Sequence, residues 1–369
     1  LDNASIEPLV TGALFDPALR ASPKVLKRLA GKRFRPQLAP RISALNMTRK
    51  TLFTAVASGN PVLLNNVRVP VMREHELGLK PALLKAIARG FKRNEKASAQ
   101  VGRRGARRQL AISELLRRWE SNRHVVSITD LHVRNTTLER DVDTAELSRF
   151  NLLPLGSEIM QRQEMMTLVV SSRGNVTDSH SDDPDGSNHC FVGRKLWFAW
   201  ETFEGQRAGL QDCSRDEITD RAHFDLSTFS RLKSARWWTV GPGETLFLPG
   251  RLSHRVVTLE SYIGIGSFYC TPASSLENLS RWYYHGPLWS LDDPEHENHD
   301  LVDEIAMALT RKLRRLHRQT RRSQEQWGLD FSGMGLRHWQ RRWPAARRNK
   351  LMASHPPLSE LVRELEALA

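Results

Sequence analysis

The chain has little of what would tie it to an oxidising compartment or to a membrane. Its three cysteines, Cys190, Cys213 and Cys270, are spread over 369 residues and form no CxxC pair. A sparse, odd set excludes a disulfide scaffold and a cysteine-built structural zinc site, and it suits a reducing cytoplasm, the expected location. No stretch approaches the roughly 18 uninterrupted apolar residues of a spanning helix, so no membrane association is expected. The first residues, Leu1 to Ser5, lack the basic-then-apolar build of a signal peptide. Tyrosine is scarce as well: Tyr262, Tyr269, Tyr283 and Tyr284 are the whole set. No internal repeat is present.

Positive charge is abundant. The formal net charge is +14 and the pI about 10.2. Such a surface attracts anions, whether nucleic acid, acidic peptide or acidic metabolite, although solubility alone explains it equally well. With 40% hydrophobic residues the chain can build one large domain, or a core domain with sizeable attachments.

Three regions follow from the pattern. Residues 1–58 read as mixed helix and loop. Residues 59–275 read as a β-rich domain with a helical insert at 80–122, and 276–369 as a basic helical region. The apolar run Asn60–Val67 reads as a buried strand, residues 80–92 as an amphipathic helix, and 93–108 as a mobile basic loop. Ser113 is placed to cap a helix through Trp119. From about 124 to 275, short β-branched or aromatic runs such as Thr245–Leu248 and Tyr262–Gly266 are punctuated by Gly, Pro, Asp and Ser. That pattern suggests a β-sandwich or jelly roll. Further on, Arg311, Arg314, Arg315, Arg318 and Arg322 share one helix face, opposite Ile305, Leu309, Leu313 and Leu316. The basic face is either solvated or a contact for nucleic acid or an acidic partner. The apolar face suits a homodimer or packing on the barrel.

The chemistry-bearing residues are His180-Ser181-Asp182, Lys195 and His254. Two histidines and a carboxylate can hold a ferrous ion on one side and leave the other side open. Residues i and i+2 of a strand share a face, so His180 and Asp182 point inward while Ser181 and Asp183 point away. A strand through Leu246–Leu248 and a turn after Pro249 can return His254 to the same place. Each residue alone is weak evidence; their coincidence carries the argument. His189 falls in a turn region and is not expected to bind metal. Trp197, Trp200, Trp237 and Trp238 fit either core or pocket wall.

The blocks Thr177-Asp178-Ser179-His180-Ser181-Asp182, Gly193-Arg194-Lys195 and Gly243–His254 resemble the JmjC family of cupin-fold iron and 2-oxoglutarate oxygenases. They come closest to its hydroxylase branch, the branch of the asparaginyl hydroxylase that inhibits hypoxia-inducible factor. The resemblance spans roughly residues 59–270. It implies an α+β fold with a double-stranded β-helix (jelly-roll, cupin) core flanked by N-terminal and C-terminal helices. It makes His180, Asp182 and His254 the Fe(II) ligands and the catalytic centre. It assigns 2-oxoglutarate to Lys195, Thr177 and, more loosely, Ser267, with dioxygen as the third reactant. The tyrosine that often binds 2-oxoglutarate in the family has no counterpart before the second motif block. The retained Asp182 favours hydroxylation over halogenation. A protein or peptide side chain is the expected substrate. RNA, a small metabolite and N-demethylation are the chemical alternatives, and a nucleic-acid-binding cupin scaffold without catalysis is the non-enzyme one.

Overall fold

Strand signals that look separate in the sequence merge in space. The computed structural model describes residues 22–32, 42–43, 49–65, 80–92, 94–102, 107–121, 125–133, 167–182, 185–210, 224–250, 252–285, 298–326 and 331–368. The N-terminal part holds α1 (Pro23–Ala30), β1 (Ile42–Ser43), α2 (Arg49–Ser58), β2 (Val62–Asn65), α3 (Lys80–Gly90), β3 (Lys96–Val101), β4 (Arg107–Ala111) and α4 (Ile112–Ser121). The central part holds β5 (Val126–His132), β6 (Thr167–Ser171), β7 (Val176–Ser181), β8 (Asp185–Glu201), α5 (Thr202–Arg207), α6 (Leu226–Arg231), β9 (Arg236–Val240), β10 (Thr245–Leu248) and β11 (Leu252–Tyr269). The chain continues through α7 (Ser275–His285), α8 (Asn298–His317), α9 (Arg321–Gln326), α10 (Ser332–Arg342), α11 (Ala345–Ser354) and α12 (Pro356–Leu368). This is the α+β jelly-roll core with helical ends that the sequence suggests.

The long strands β8 and β11 pair antiparallel along most of their length and belong to both layers of the sandwich. In one layer, the first part of β8 pairs with β10 while the last part of β11 pairs with β6. In the other, the last part of β8 pairs with β9 and the first part of β11 with β7. The crossing needs a bend. Gly193 supplies it with φ 85°, and a Cβ there would lie 2.2 Å from the Ser261 carbonyl oxygen. On β11 the register shifts between Thr258 and Gly264, opposite the same bend. Polar residues at this bend split each strand signal in two.

Burial explains the rest of the pattern. Leu196, Phe198 and Trp200 face a cluster under α1 and α6, while Trp197 and Ala199 face the space between the layers. With both faces covered, the run loses its alternation and reads as continuously apolar. On the other side, α3 and α4 lay Leu83, Ile87, Leu115 and Trp119 over β5 and β6, and the Trp119 indole N–H donates to the Ser171 carbonyl at 3.1 Å.

Some expectations are corrected. The described residues of segment 93–108 are not a mobile loop: β3 and β4 pair from Lys96↔Ala111 to Gln100↔Arg107, because small residues at Ala97 and Ala99 bury against α3 and α4. Residues 93 and 103–106 lie outside the described set. Ser113 sits inside α4 rather than capping it; the helix begins at Ile112, whose N–H donates to the Glu95 carbonyl. Leu309 and Leu313 are buried within the chain, in the cluster α8 shares with α7, α10 and α12. Arg314 is not a solvated member of the basic face, since it holds Glu360 and Glu364 at 2.6 and 2.5 Å. Among the described residues no helix is long and apolar enough to cross a membrane.

Candidate metal centre

Strands β7 and β11 place His180 directly opposite His254. Asp182 follows one residue past the end of β7. One donor atom from each of the three residues lies within 4.8 Å of the others. The carboxylate divides itself between the rings: His180 Nε2 is 3.6 Å from Oδ1 and His254 Nε2 is 3.7 Å from Oδ2. Residues 183 and 184 lie outside the described set, so the expected contrast with Asp183 does too.

The second nitrogen of each ring reveals what the first can do. His180 Nδ1 lies 2.7 Å from the Asp178 carbonyl oxygen and His254 Nδ1 lies 3.3 Å from that of Leu252. A carbonyl only accepts, so both Nδ1 atoms carry the proton. Each Nε2 then carries its lone pair turned toward Asp182, the tautomer a metal ligand needs. Arg255 steadies this arrangement. Its buried guanidinium donates to Asp178 Oδ1 at 2.9 Å, and Asp178 is the residue whose carbonyl orients His180. Asp185, at the start of β8, accepts the Gly250 N–H at 3.1 Å and ties down the turn that leads into β11. Burial pushes the Asp185 carboxyl up to about 6.

The three residues border a cavity of about 120 Å³ between the layers, and Thr177, Lys195 and Ser267 line the same cavity. All the site residues expected from the sequence therefore share one space. Lys195 is buried, with its ammonium 4.4 Å from the centre of the Tyr262 ring. No carboxylate among the described residues pairs with it. Desolvation pulls its pKa down to about 7. Trp197 closes the side next to His254, ring centres 5.2 Å apart.

Other wall residues escaped the sequence reading, among them Asn188, Thr129, Thr167 and Phe268. Tyr262 lies under Lys195, its hydroxyl donating to Asn188 Oδ1. Parity hides part of this wall. Before the bend, even-numbered Gly186 and Asn188 face the cavity; after Gly193, odd-numbered Lys195 and Trp197 do. Counting back from Lys195 by twos reaches Ser187 but misses Gly186 and Asn188. His189 lies within β8 and not in a turn, because β10 pairs with it. Its Nδ1 meets Thr245 Oγ1 at 2.7 Å and it stands apart from the three-residue group.

The donor set fits a single divalent iron: two imidazole lone pairs, one carboxylate, and a cavity on the remaining side. A buried cation lining the same cavity, with no carboxylate partner among the described residues, fits a small dianion. A model of the cupin-like domain family matches residues 51–285, more than half of the chain. No curated protein matches it.

Proposed function

The chain belongs to the cupin-like domain family, and on that premise we propose that it is an Fe(II)- and 2-oxoglutarate-dependent dioxygenase of the hydroxylase branch, acting on a protein or peptide side chain. The observation that carries the reading is the shared cavity: it is lined by two histidines and a carboxylate whose donor atoms cluster, and by a buried lysine with no carboxylate partner among the described residues. Bound ferrous iron and 2-oxoglutarate would supply dioxygen activation, yielding succinate, carbon dioxide and a hydroxylated C–H position.

The chain's own residues do the rest. His180, Asp182 and His254 would hold the ion at the border of the cavity. Lys195 takes the far carboxylate of 2-oxoglutarate in a charge-assisted bond, strengthened by its dry surroundings. Thr177 donates its hydroxyl hydrogen to that carboxylate, and Ser267 on β11 contributes a further polar contact. Trp197, Leu246 and Val256 keep water from the ion pair. Asp182 fills the position a halide would need, which favours hydroxylation. RNA is the second substrate reading, favoured by the net charge of +14.

Purified protein supplied with Fe(II), ascorbate and 2-oxoglutarate is expected to form succinate, slowly even without a prime substrate. Lys195→Ala should raise the KM for 2-oxoglutarate strongly. Absence of both turnover and 2-oxoglutarate binding overturns the proposal. A search for a product heavier by one oxygen atom, in peptide and RNA panels, decides between the substrate readings.

A further inference from the structure

A second cavity, about 240 Å³ and twice the volume of the first, lies between the barrel and the C-terminal helices. Ser181, between the two β7-side metal-site residues, lines it, so the cavity backs directly onto the strand that carries His180. Arg281 of α7, Arg342 of α10 and Arg347 of α11 contribute three guanidinium groups, with Phe203 and Trp343 as flat walls.

The carboxylates that line this cavity are already engaged. Glu201 accepts the Glu204 N–H at 2.7 Å and caps α5. Glu277 accepts the Trp343 indole N–H at 3.2 Å and faces Arg342 at 3.7 Å. Arg347 is exposed and has no carboxylate partner among the described residues; it lies 5.3 Å over the ring of Tyr284. Tyr284 is itself 47% exposed, the most exposed large hydrophobic residue described, and meets Phe203 and Trp343 edge-on. Residues 311–350 hold thirteen Lys and Arg against two carboxylates, Glu325 and Asp330, a net +11 of the chain's +14. Arg311, Arg315, Arg318, Arg337 and Arg341 in this stretch are exposed.

We propose that this cavity and the exposed arginines of 311–350 bind a single-stranded nucleic acid, phosphate on Arg342 and Arg347 and a base against the Tyr284, Phe203 and Trp343 rings. Guanidinium forks match phosphate oxygens, and every base offers a face for aromatic stacking. An acidic peptide would use the charges but leave the rings without a flat partner. The proposal is independent of the iron and 2-oxoglutarate reading, because binding needs neither.

The test is fluorescence anisotropy of the full chain, without iron or 2-oxoglutarate, against labelled ten-nucleotide single-stranded RNA and DNA, with a ten-residue polyglutamate as comparator. Both strands, or one of them, should bind more tightly than polyglutamate. The logarithm of affinity should fall against the logarithm of salt with a slope of about −2, as about three neutralised phosphates give. Arg347→Glu should weaken binding at least about tenfold and Tyr284→Ala several-fold. Both positions are exposed, so unchanged thermal melting confirms intact folding. Arg363→Glu, exposed on α12, is expected to bind as the unaltered chain does. RNA binding above DNA identifies the ribose as part of the recognition, and equal binding identifies the phosphodiester strand alone. Polyglutamate binding as tightly as either strand overturns the proposal, as does unaltered affinity in both Arg347→Glu and Tyr284→Ala.

Discussion

Raising the pH from 7 to 9 is expected to weaken binding of 2-oxoglutarate, or of its unreactive analogue N-oxalylglycine, about fiftyfold, because both need Lys195 charged. With its pKa near 7 in the empty cavity, Lys195 is about half protonated at pH 7 and about one per cent protonated at pH 9. The loss amounts to about 2 kcal/mol of binding free energy. Stability of the empty protein should move the other way. The folded pKa lies below the unfolded 10.5, so the unfolded chain binds more protons between about 7 and 10.5. The buried charge therefore costs most below pH 7, and that cost is relieved as pH rises through the window. Titration calorimetry of the iron-loaded protein, in two buffers of different ionisation heat, reads the proton directly: nearly one should be taken up per 2-oxoglutarate bound at pH 9. Lys195→Met keeps the length and removes the charge, and should abolish both the affinity slope and the uptake. Flat affinity from pH 7 to 9 in the unaltered chain, with no proton uptake, would refute the role given to Lys195.

Asp182→Ala should lose ferrous binding and succinate formation, by at least about a hundredfold, when iron content and product are measured together. Arg255→Leu removes the ion pair that positions Asp178, and a roughly tenfold weaker Fe(II) affinity is expected, with succinate formation recovering at saturating iron; an unchanged affinity would detach Arg255 from the centre. Leu361→Ala in α12 should cost about 2–5 kcal/mol in a denaturant titration, since Leu361 is fully buried in the cluster joining the C-terminal helices to α7. Gly193→Ala should fold poorly or melt well below the unaltered chain, because the new Cβ would collide with the Ser261 carbonyl in a left-handed backbone.

The residues of the candidate centre were legible because their chemistry is rare and each lies in a short, recognisable block. His180, Asp182, Lys195 and His254 stand near turns or bends that the sequence marks with Gly, Pro and Asp, so each is legible in its own block, although only long-range strand pairing brings the blocks together. The rest of the cavity was hidden for a geometric reason. Asn188 and Tyr262 meet through the β8–β11 pairing, whose register changes at the Gly193 bend, and no local pattern reports such a shift. The β3–β4 hairpin reads as a loop because most of its positions are Lys, Arg, Gln or Ser, leaving Ala97, Ala99 and the half-buried Leu110 as its inward signal. Arg314 looked solvated because its partners, Glu360 and Glu364, come from a helix some fifty residues later.

The pairing that brings His180 to His254 has a consequence for how the chain comes to exist. β7 and β11 are separated by the whole of β8, α5, α6, β9 and β10, and Lys195 is placed by ladders to β9 and to the distant β11. Contacts between such remote segments close slowly and late, after the loop entropy between them has been overcome. A chain emerging from the ribosome lacks the His180–His254 pair until β11 has been made and zipped onto both partners. On the function proposed above, iron would be kept off the polypeptide until both strands have paired, and iron uptake during refolding would report completion of the sandwich, not its beginning.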